Sequence, residues 1–347
     1  MSSQIKAASG QAADKSWVKV VARYQKPDTR AALWQVFSSF APLFALQALM
    51  YFSLQWSYWL TLALSVLAAG FMVRIFIILH DCGHGSFLKS QKWNDIVGSI
   101  CGAFVFTAYF QWRHGHAIHH ATSGDLDRRG IGDIDTLTVR EYNALSRWGR
   151  LRYRLYRHPV TIFLIGAPLL FIIGQRFTDK SLPRRERYSV YYTNAGIAAI
   201  AIVMSLLIGW REYLLIMLPS FYLASVTGVW MFYLQHQFEE TYWKPHPDWD
   251  YFDASIKGSS YYKLPKILQW FTGNIGFHHI HHLSPKIPNY MLERCFRENA
   301  MFQDVTTLTL PSSFKTLSWR LWDEDQQRMV GFARAQEVRR VQAQAQA

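Results

Sequence analysis

From Ala31 to Val73 the chain carries no charged side chain, an uninterrupted run of 43 residues. A membrane-spanning helix needs about 20 apolar residues, so the run is long enough for two crossings. Average composition hides this. Half of the residues are hydrophobic, yet the mean hydropathy is only -0.03 because the C-terminal stretch is largely polar. The pattern predicts an integral membrane protein with an all-α fold.

Two more spans are predicted at Tyr188–Trp210 and Tyr213–Gln235, separated only by Arg211 and Glu212. The first pair divides near Gln55, Trp56 and Ser57 into Ala31–Met50 and Trp56–Leu79, with Arg74 placed to snorkel to the surface. Two other apolar segments, Ile96–Phe110 and Pro159–Gln175, are short or interrupted, and they read as interfacial or re-entrant. Ala121–Arg157 holds eight arginines, and Lys180, Arg184, Arg185 and Arg187 follow the second short segment. Basic segments favour the cytosolic side of a membrane. The net charge of +13 therefore suits anionic lipid rather than nucleic acid, because the basic residues lie between apolar segments and not on one massed face. Three widely spaced cysteines (Cys82, Cys101, Cys295) form no CxxC and fit a reducing compartment. The expected layout is a mobile polar arm over residues 1–30, with room for one short helix and without a signal peptide, a membrane domain over 31–332, and a polar tail over 333–347 whose end (Val341–Ala347) is expected to be disordered.

The chemistry is carried by histidines. His116, His119 and His120 are spaced i, i+3, i+4, which on a helix places three imidazoles on one face. His278, His281 and His282 repeat the spacing, His80 and His84 form an i, i+4 pair, and His236 closes the last predicted span. An ordinary core would need a separate hydrogen-bond partner for each ring, whereas neutral imidazole is a common transition-metal ligand. Nine histidines give about four or five ligands to each of two metals, too many for one zinc. At about 100° per residue, His114 and His279 point away from their neighbours' face. His158 precedes a proline and His246 lies between two, so these four read as structural or exposed. If the clusters share one site, an even number of crossings separates them, which favours four spans with the site on the cytosolic side.

His80-Asp-Cys-Gly-His84, His116-Ala-Ile-His119-His120 and His278-His-Ile-His281-His282 resemble the three histidine boxes of the membrane-bound fatty acid desaturases. The text after the third box, Leu283–Tyr290, is also similar, and the resemblance spans roughly Ala31 to Phe332, nearest the bacterial and plant delta-12-like branch. It implies a bundle of four transmembrane helices under a cytosolic di-metal cap, with two non-haem irons held by His80, His84, His116, His119, His120, His278, His281 and His282. A ninth family histidine ends a late transmembrane helix, and His236 matches that place. Dioxygen would be the co-substrate, a membrane lipid or acyl thioester the substrate, and a separate ferredoxin- or cytochrome-type protein the electron donor. A bacterial cell membrane is the implied location.

Several residues are open to blander readings. Asp81 can either orient a neighbouring imidazole or cap a helix. Asp125, Asp127, Asp133 and Asp135 read as salt-bridged loop residues, interleaved as they are with Arg128 and Arg129. Cys82 reads as a packing residue with no adjacent base. The nearest rival function is a di-iron hydroxylase or ketolase of lipids, which shares the boxes. A zinc hydrolase would want a Glu beside its histidines, and no box has one. A transporter would bury histidines in mid-span.

Overall fold

In the computed structural model, which describes residues 16–345, the charge-free run forms a helical hairpin. A short α1 (Ser16–Val21) precedes α2 (Thr29–Ser53) and α3 (Tyr58–His84). Asp28 starts α2 by accepting hydrogen bonds from the backbone N–H groups of Arg30 and Ala31. The hydroxyls of Ser53 and Thr61 meet at 2.7 Å across the hairpin turn. α3 is the central span, with 56% of its most apolar window buried. It ends at Gly85, whose φ of 64° is open to glycine at little cost and stops the helix directly after His84.

The next two helices, α4 (Gln91–Phe104) and α5 (Tyr109–Thr122), have 14 residues each. At 1.5 Å per residue each is about 21 Å long, too short for a hydrocarbon core of about 30 Å. They form a hairpin that packs on α3 and returns the chain to the end of the bundle where α3 finished. A polar stretch then carries α6 (Val139–Ala144) and α7 (Arg147–Tyr156). After Pro159 the chain makes a π-helical segment (Val160–Gly166) and α8 (Ala167–Ile172). The 160–176 segment is bent by 57° from α7 and is the one place, among the described residues, where a fifth crossing would fit by length and composition.

The second long hairpin is α9 (Arg184–Ile208) and α10 (Trp210–His236). Its turn falls at Gly209 and not at Arg211 and Glu212, which lie in the first turn of α10. α9 is peripheral, with only 6% of its apolar window buried, so most of its surface is left for lipid. Among the described residues, four helices are thus long and apolar enough to cross a membrane, as the composition predicts.

The rest forms a polar cap. It comprises α11 (Tyr251–Lys257), α12 (Lys266–Phe271), α13 (His278–Leu283), α14 (Asn289–Glu298), α15 (Leu310–Ser313) and α16 (Phe332–Ala345). Two small sheets brace it: β1 (Tyr261–Lys263) pairs in parallel with β2 (Thr307–Thr309), and β3 (Leu321–Asp323) antiparallel with β4 (Arg328–Val330). Ile77, Leu234, Ile280 and Leu292 share one buried cluster, which joins the cap to the ends of α3 and α10.

Three expectations are corrected. The N-terminal arm is docked from Ser16 onward, since Val21 and Tyr24 are buried and the Tyr24 hydroxyl donates to Glu298 at 2.7 Å; its residues 1–15 lie outside those described. The C-terminal tail is helical as far as Ala345, because its Ala, Gln and Arg are strong helix formers and Ala335 is buried against α6; residues 346–347 lie outside those described. Arg74 does not snorkel. It is buried, donates to the Trp270 carbonyl, and its guanidinium sits 3.9 Å from the Trp270 ring centroid.

Candidate metal centre

Four pieces of chain bring the histidines together. His80 and His84 close α3, His116, His119 and His120 lie on the second half of α5, and His236 is the last residue of α10. His278, His281 and His282 come from α13, a six-residue helix that is buried throughout. The i, i+3, i+4 spacing turns every one of these rings towards a common interior.

The nine imidazoles sort into two adjoining groups. His80, His84, His116, His120 and His281 have ligand atoms within 4.8 Å of one another, and so do His119, His236 and His282. His278 joins the second group, with its Nε2 3.0 Å from that of His236 and 3.1 Å from that of His282. In the first, Nε2 of His120 lies 3.2 Å from Nε2 of His116 and 3.0 Å from Nε2 of His281.

These contacts are poorly satisfied as hydrogen bonds. A ring nitrogen is either a donor or an acceptor, so three converging Nε2 atoms cannot all pair. Nε2 of His84 and of His119 are buried with no hydrogen-bond partner among the described residues. A cation among them resolves both problems by accepting every lone pair at once. Burial, reinforced by the neighbouring rings, holds His116, His120, His278, His281 and His282 well below the usual histidine range, which keeps them neutral as ligands must be.

Three of the outward nitrogens are held in turn. His80 Nδ1–H donates to Asp81 at 3.0 Å, His236 Nδ1–H to the Gly258 carbonyl at 3.1 Å, and His119 Nδ1–H to Asp133. Each bond fixes the tautomer that leaves Nε2 bare towards the interior. Asp81 takes both roles open to it, because its other oxygen accepts from the backbone N–H of Asn289 at the start of α14. Trp112 stacks on His116 with ring centroids 4.4 Å apart.

Asp133 is the residue that sequence reasoning misplaced. It reads as a loop ion-pair partner, yet its carboxylate reaches His119. The signal was its glycine neighbours: Gly132 has φ of 75°, and a Cβ there would lie 3.1 Å from both the Gly115 carbonyl and the His119 Cβ. Only a glycine allows the loop that close to α5. Asp125 does pair within the loop, with Arg128, and also with the distant His246 Nδ1 at 2.8 Å. The remaining histidines fall outside both groups. His158 Nδ1 accepts from Val160 N–H, His279 is buried and bonds the Phe302 carbonyl at 3.0 Å, and His114 is half-buried on another face of α5. Cys82 is buried and free.

Residues 57–306 match the family described as Fatty acid desaturase. A fatty acid desaturase of Bacillus subtilis is 49% identical over 318 residues, covering 92% of this chain and 90% of the relative. The chain belongs to the fatty acid desaturase family. More distant similarities include the sn-1 oleoyl-lipid 12-desaturase of Synechocystis, 27% identical over 62% of each chain. The chloroplastic sn-2 acyl-lipid omega-3 desaturase (ferredoxin) of Arabidopsis thaliana is 26% identical, over 67% of this chain and 54% of its own. Membership makes the protein a membrane oxidoreductase acting on fatty acids, with histidine clusters able to hold metal.

For such a substrate this desaturase-family chain has a place. A cavity of about 480 Å³ runs between α3, α5, α8 and α10. Its wall is mostly apolar, with Met72, Phe76, Phe171 and Phe221 among its residues, and His80, His116 and His278 stand in that same wall. Its size falls within the range of ligand-binding pockets.

Proposed function

We propose that the protein is a membrane fatty acid desaturase that introduces a cis double bond into a lipid acyl chain. It would use two irons, dioxygen, and two electrons from a separate carrier. In this reading His80, His84, His116, His120 and His281 hold one iron, and His119, His236, His278 and His282 hold the other. The observation that carries it is the placing of both imidazole groups at the wall of an apolar cavity between membrane helices.

Removing two hydrogens from an unactivated methylene pair exceeds the oxidising power of any side chain, and iron bound at the two groups would supply it by activating dioxygen. The balance is one acyl CH₂–CH₂, one dioxygen, two electrons and two protons giving one CH=CH and two waters. The chain's own residues supply position. The mostly apolar cavity wall orients the acyl chain past His80 and His116. Asp81, Asp133 and the Gly258 carbonyl hold three rings in the ligating tautomer.

The substrate is an acyl chain on a membrane lipid or a thioester, and the electron donor is a ferredoxin- or cytochrome-type protein; the Arabidopsis relative is named with ferredoxin. The site faces the cytosol of a bacterial cell, a placement supported by the basic segments on the histidine side. Expression in a host lacking polyunsaturated lipids, followed by fatty acid profiling with double-bond localisation, tests the reading. New unsaturation that disappears in His119→Ala supports it. Oxygenated acyl chains without new double bonds would replace it with a hydroxylase.

A further inference from the structure

Six of the eight arginines between Ala121 and Arg157 are used inside the protein. Arg128 pairs with Asp125, Arg129 with Glu141, and Arg140 with Asp325. Arg150 donates to backbone carbonyls of residues 143 and 145, Arg154 donates to the Tyr142 hydroxyl at 2.7 Å, and Arg157 is buried with Gln237 at 2.6 Å. Arg147 and Arg152 are left. Both are exposed on α7, and among the described residues no carboxylate pairs with either.

α7 is turned inside out for a helix on a soluble surface. Its arginines 150 and 154 and its buried Tyr153 face the cap, whereas Trp148, Leu151 and Leu155 are 76%, 43% and 57% exposed. At about 100° per residue, these three apolar side chains fall within an arc of about 60°, and Arg147 and Arg152 lie about 40° outside its two edges. A polar-flanked apolar stripe of this kind is what a helix presents to a bilayer surface, its apolar side chains dipping below the headgroups and its cations among the phosphates.

The chain continues the same surface. Beyond the bend at Pro159, Val160, Leu164, Ile165 and Leu169 are exposed, while Ile162 and Phe163 on the other side pack on Tyr233 and its neighbours in α10, a membrane-length helix. The outward face of that segment is therefore lipid-facing, and α7 is joined directly to it.

We propose that α7 is a membrane-surface helix that docks on anionic lipid headgroups through Trp148, Leu151 and Leu155 with Arg147 and Arg152. Anionic lipid is the occupant that matches both parts of the surface, since it offers an apolar layer and negative phosphates at the same level. The docked helix is fastened to the metal centre's surroundings, because Arg157 just past its C-terminus donates to Gln237, next to His236.

The test uses the full-length protein with Leu151→Cys carrying an environment-sensitive fluorophore; the native cysteines are buried and leave this one reactive. It is reconstituted in nanodiscs of phosphatidylcholine with and without phosphatidylglycerol. The expected result is blue-shifted emission, quenching by bromines placed high on the acyl chains, and protection from aqueous iodide that improves with phosphatidylglycerol. Each arginine near an anionic surface shifts such docking about fivefold. R147Q/R152Q should therefore lose the gain from phosphatidylglycerol, and R147K/R152K should keep it. A label equally open to iodide in both lipids overturns the proposal. So does efficient cross-linking between two chains at position 151, which would make a second copy the occupant.

Discussion

Asp81 accepts two hydrogen bonds from Asn289, at 2.6 Å from its backbone nitrogen and 2.8 Å from its side-chain amide. Its other oxygen accepts from His80 Nδ1 at 3.0 Å. A single buried carboxylate thus joins the first histidine box to the segment after the third. It starts α14 and fixes the His80 ring together.

Asp81→Asn separates these roles. The amide oxygen can still accept from Asn289, but its NH₂ would then face His80 Nδ1–H, donor to donor. His80 would have to move its proton to Nε2, which removes the lone pair from the interior. The expected outcome is a folded protein whose affinity for one of its two metals falls about 10–100-fold. Iron analysis during a chelator titration checks it, and two equally tight irons in the variant would end the argument.

The two groups should fail separately. His281→Ala strikes the five-histidine group and His119→Ala the other, so each should retain about one metal of two and lose desaturation. His246→Gln and His158→Ala should keep both metals, because those rings bond Asp125 and the Val160 N–H away from the groups. Metal content by elemental analysis, run beside activity, distinguishes the cases. A folded His246→Gln protein that had lost a metal as His119→Ala does would mean that the ligand set is drawn wrongly.

Gly228 lies in the wall of the cavity, where a Cβ would meet nothing within 4 Å. Glycine in a helix interior costs about 1 kcal/mol relative to alanine, so the open space next to it is the reason to look for a role. Gly228→Ala should be neutral or slightly stabilising. Gly228→Phe should fill the lumen and abolish product or move the double bond, with iron content unchanged. Fatty acid profiling of the two variants reads this directly, and a normal product profile from Gly228→Phe would place the acyl chain elsewhere.

What the sequence made legible follows from periodicity. The charge-free run and the i, i+3, i+4 histidines are local patterns, and α2, α3, α5 and α13 express them, with the ends of the two spans displaced by two to five residues. The contacts that complete the site are not local. Asp133 reaches His119 across 14 residues and Asp81 reaches Asn289 across 208, so neither partner could be paired by spacing. Arg74 reads as a snorkelling residue for the same reason: the Trp270 ring that covers it comes from the far end of the chain. The cavity is more remote still, since its wall draws single faces from helices that only the tertiary fold brings side by side.

The last prediction concerns which side of the membrane the 177–183 loop occupies. If the bent stretch from α7 to Arg176 were a full crossing, the loop would lie opposite the histidines and α9 would run the other way. The contacts at the start of α9 argue against this. Arg185 pairs with Asp95 at 2.6 Å, Asp95 also holds Arg113, and Ser189 Oγ accepts from the backbone N–H of Gln111. Gln111 and Arg113 open the same helix, α5, that carries His116, His119 and His120. The loop is therefore expected on the histidine side, which the basic bias predicts to be the cytosolic one. A cysteine introduced at Ser181 should resist a membrane-impermeant thiol reagent in intact cells and react after permeabilisation. Cysteines at Gln55, in the turn of the first long hairpin, and at Arg211, in the first turn of α10 beside the second, should react directly. An acidic electron carrier would meet the basic loops on the cytosolic side, so turnover should also weaken as salt screens the encounter. Labelling of Ser181→Cys from outside would require a fifth crossing, and with it a different arrangement of α9 and α10 about the metal centre.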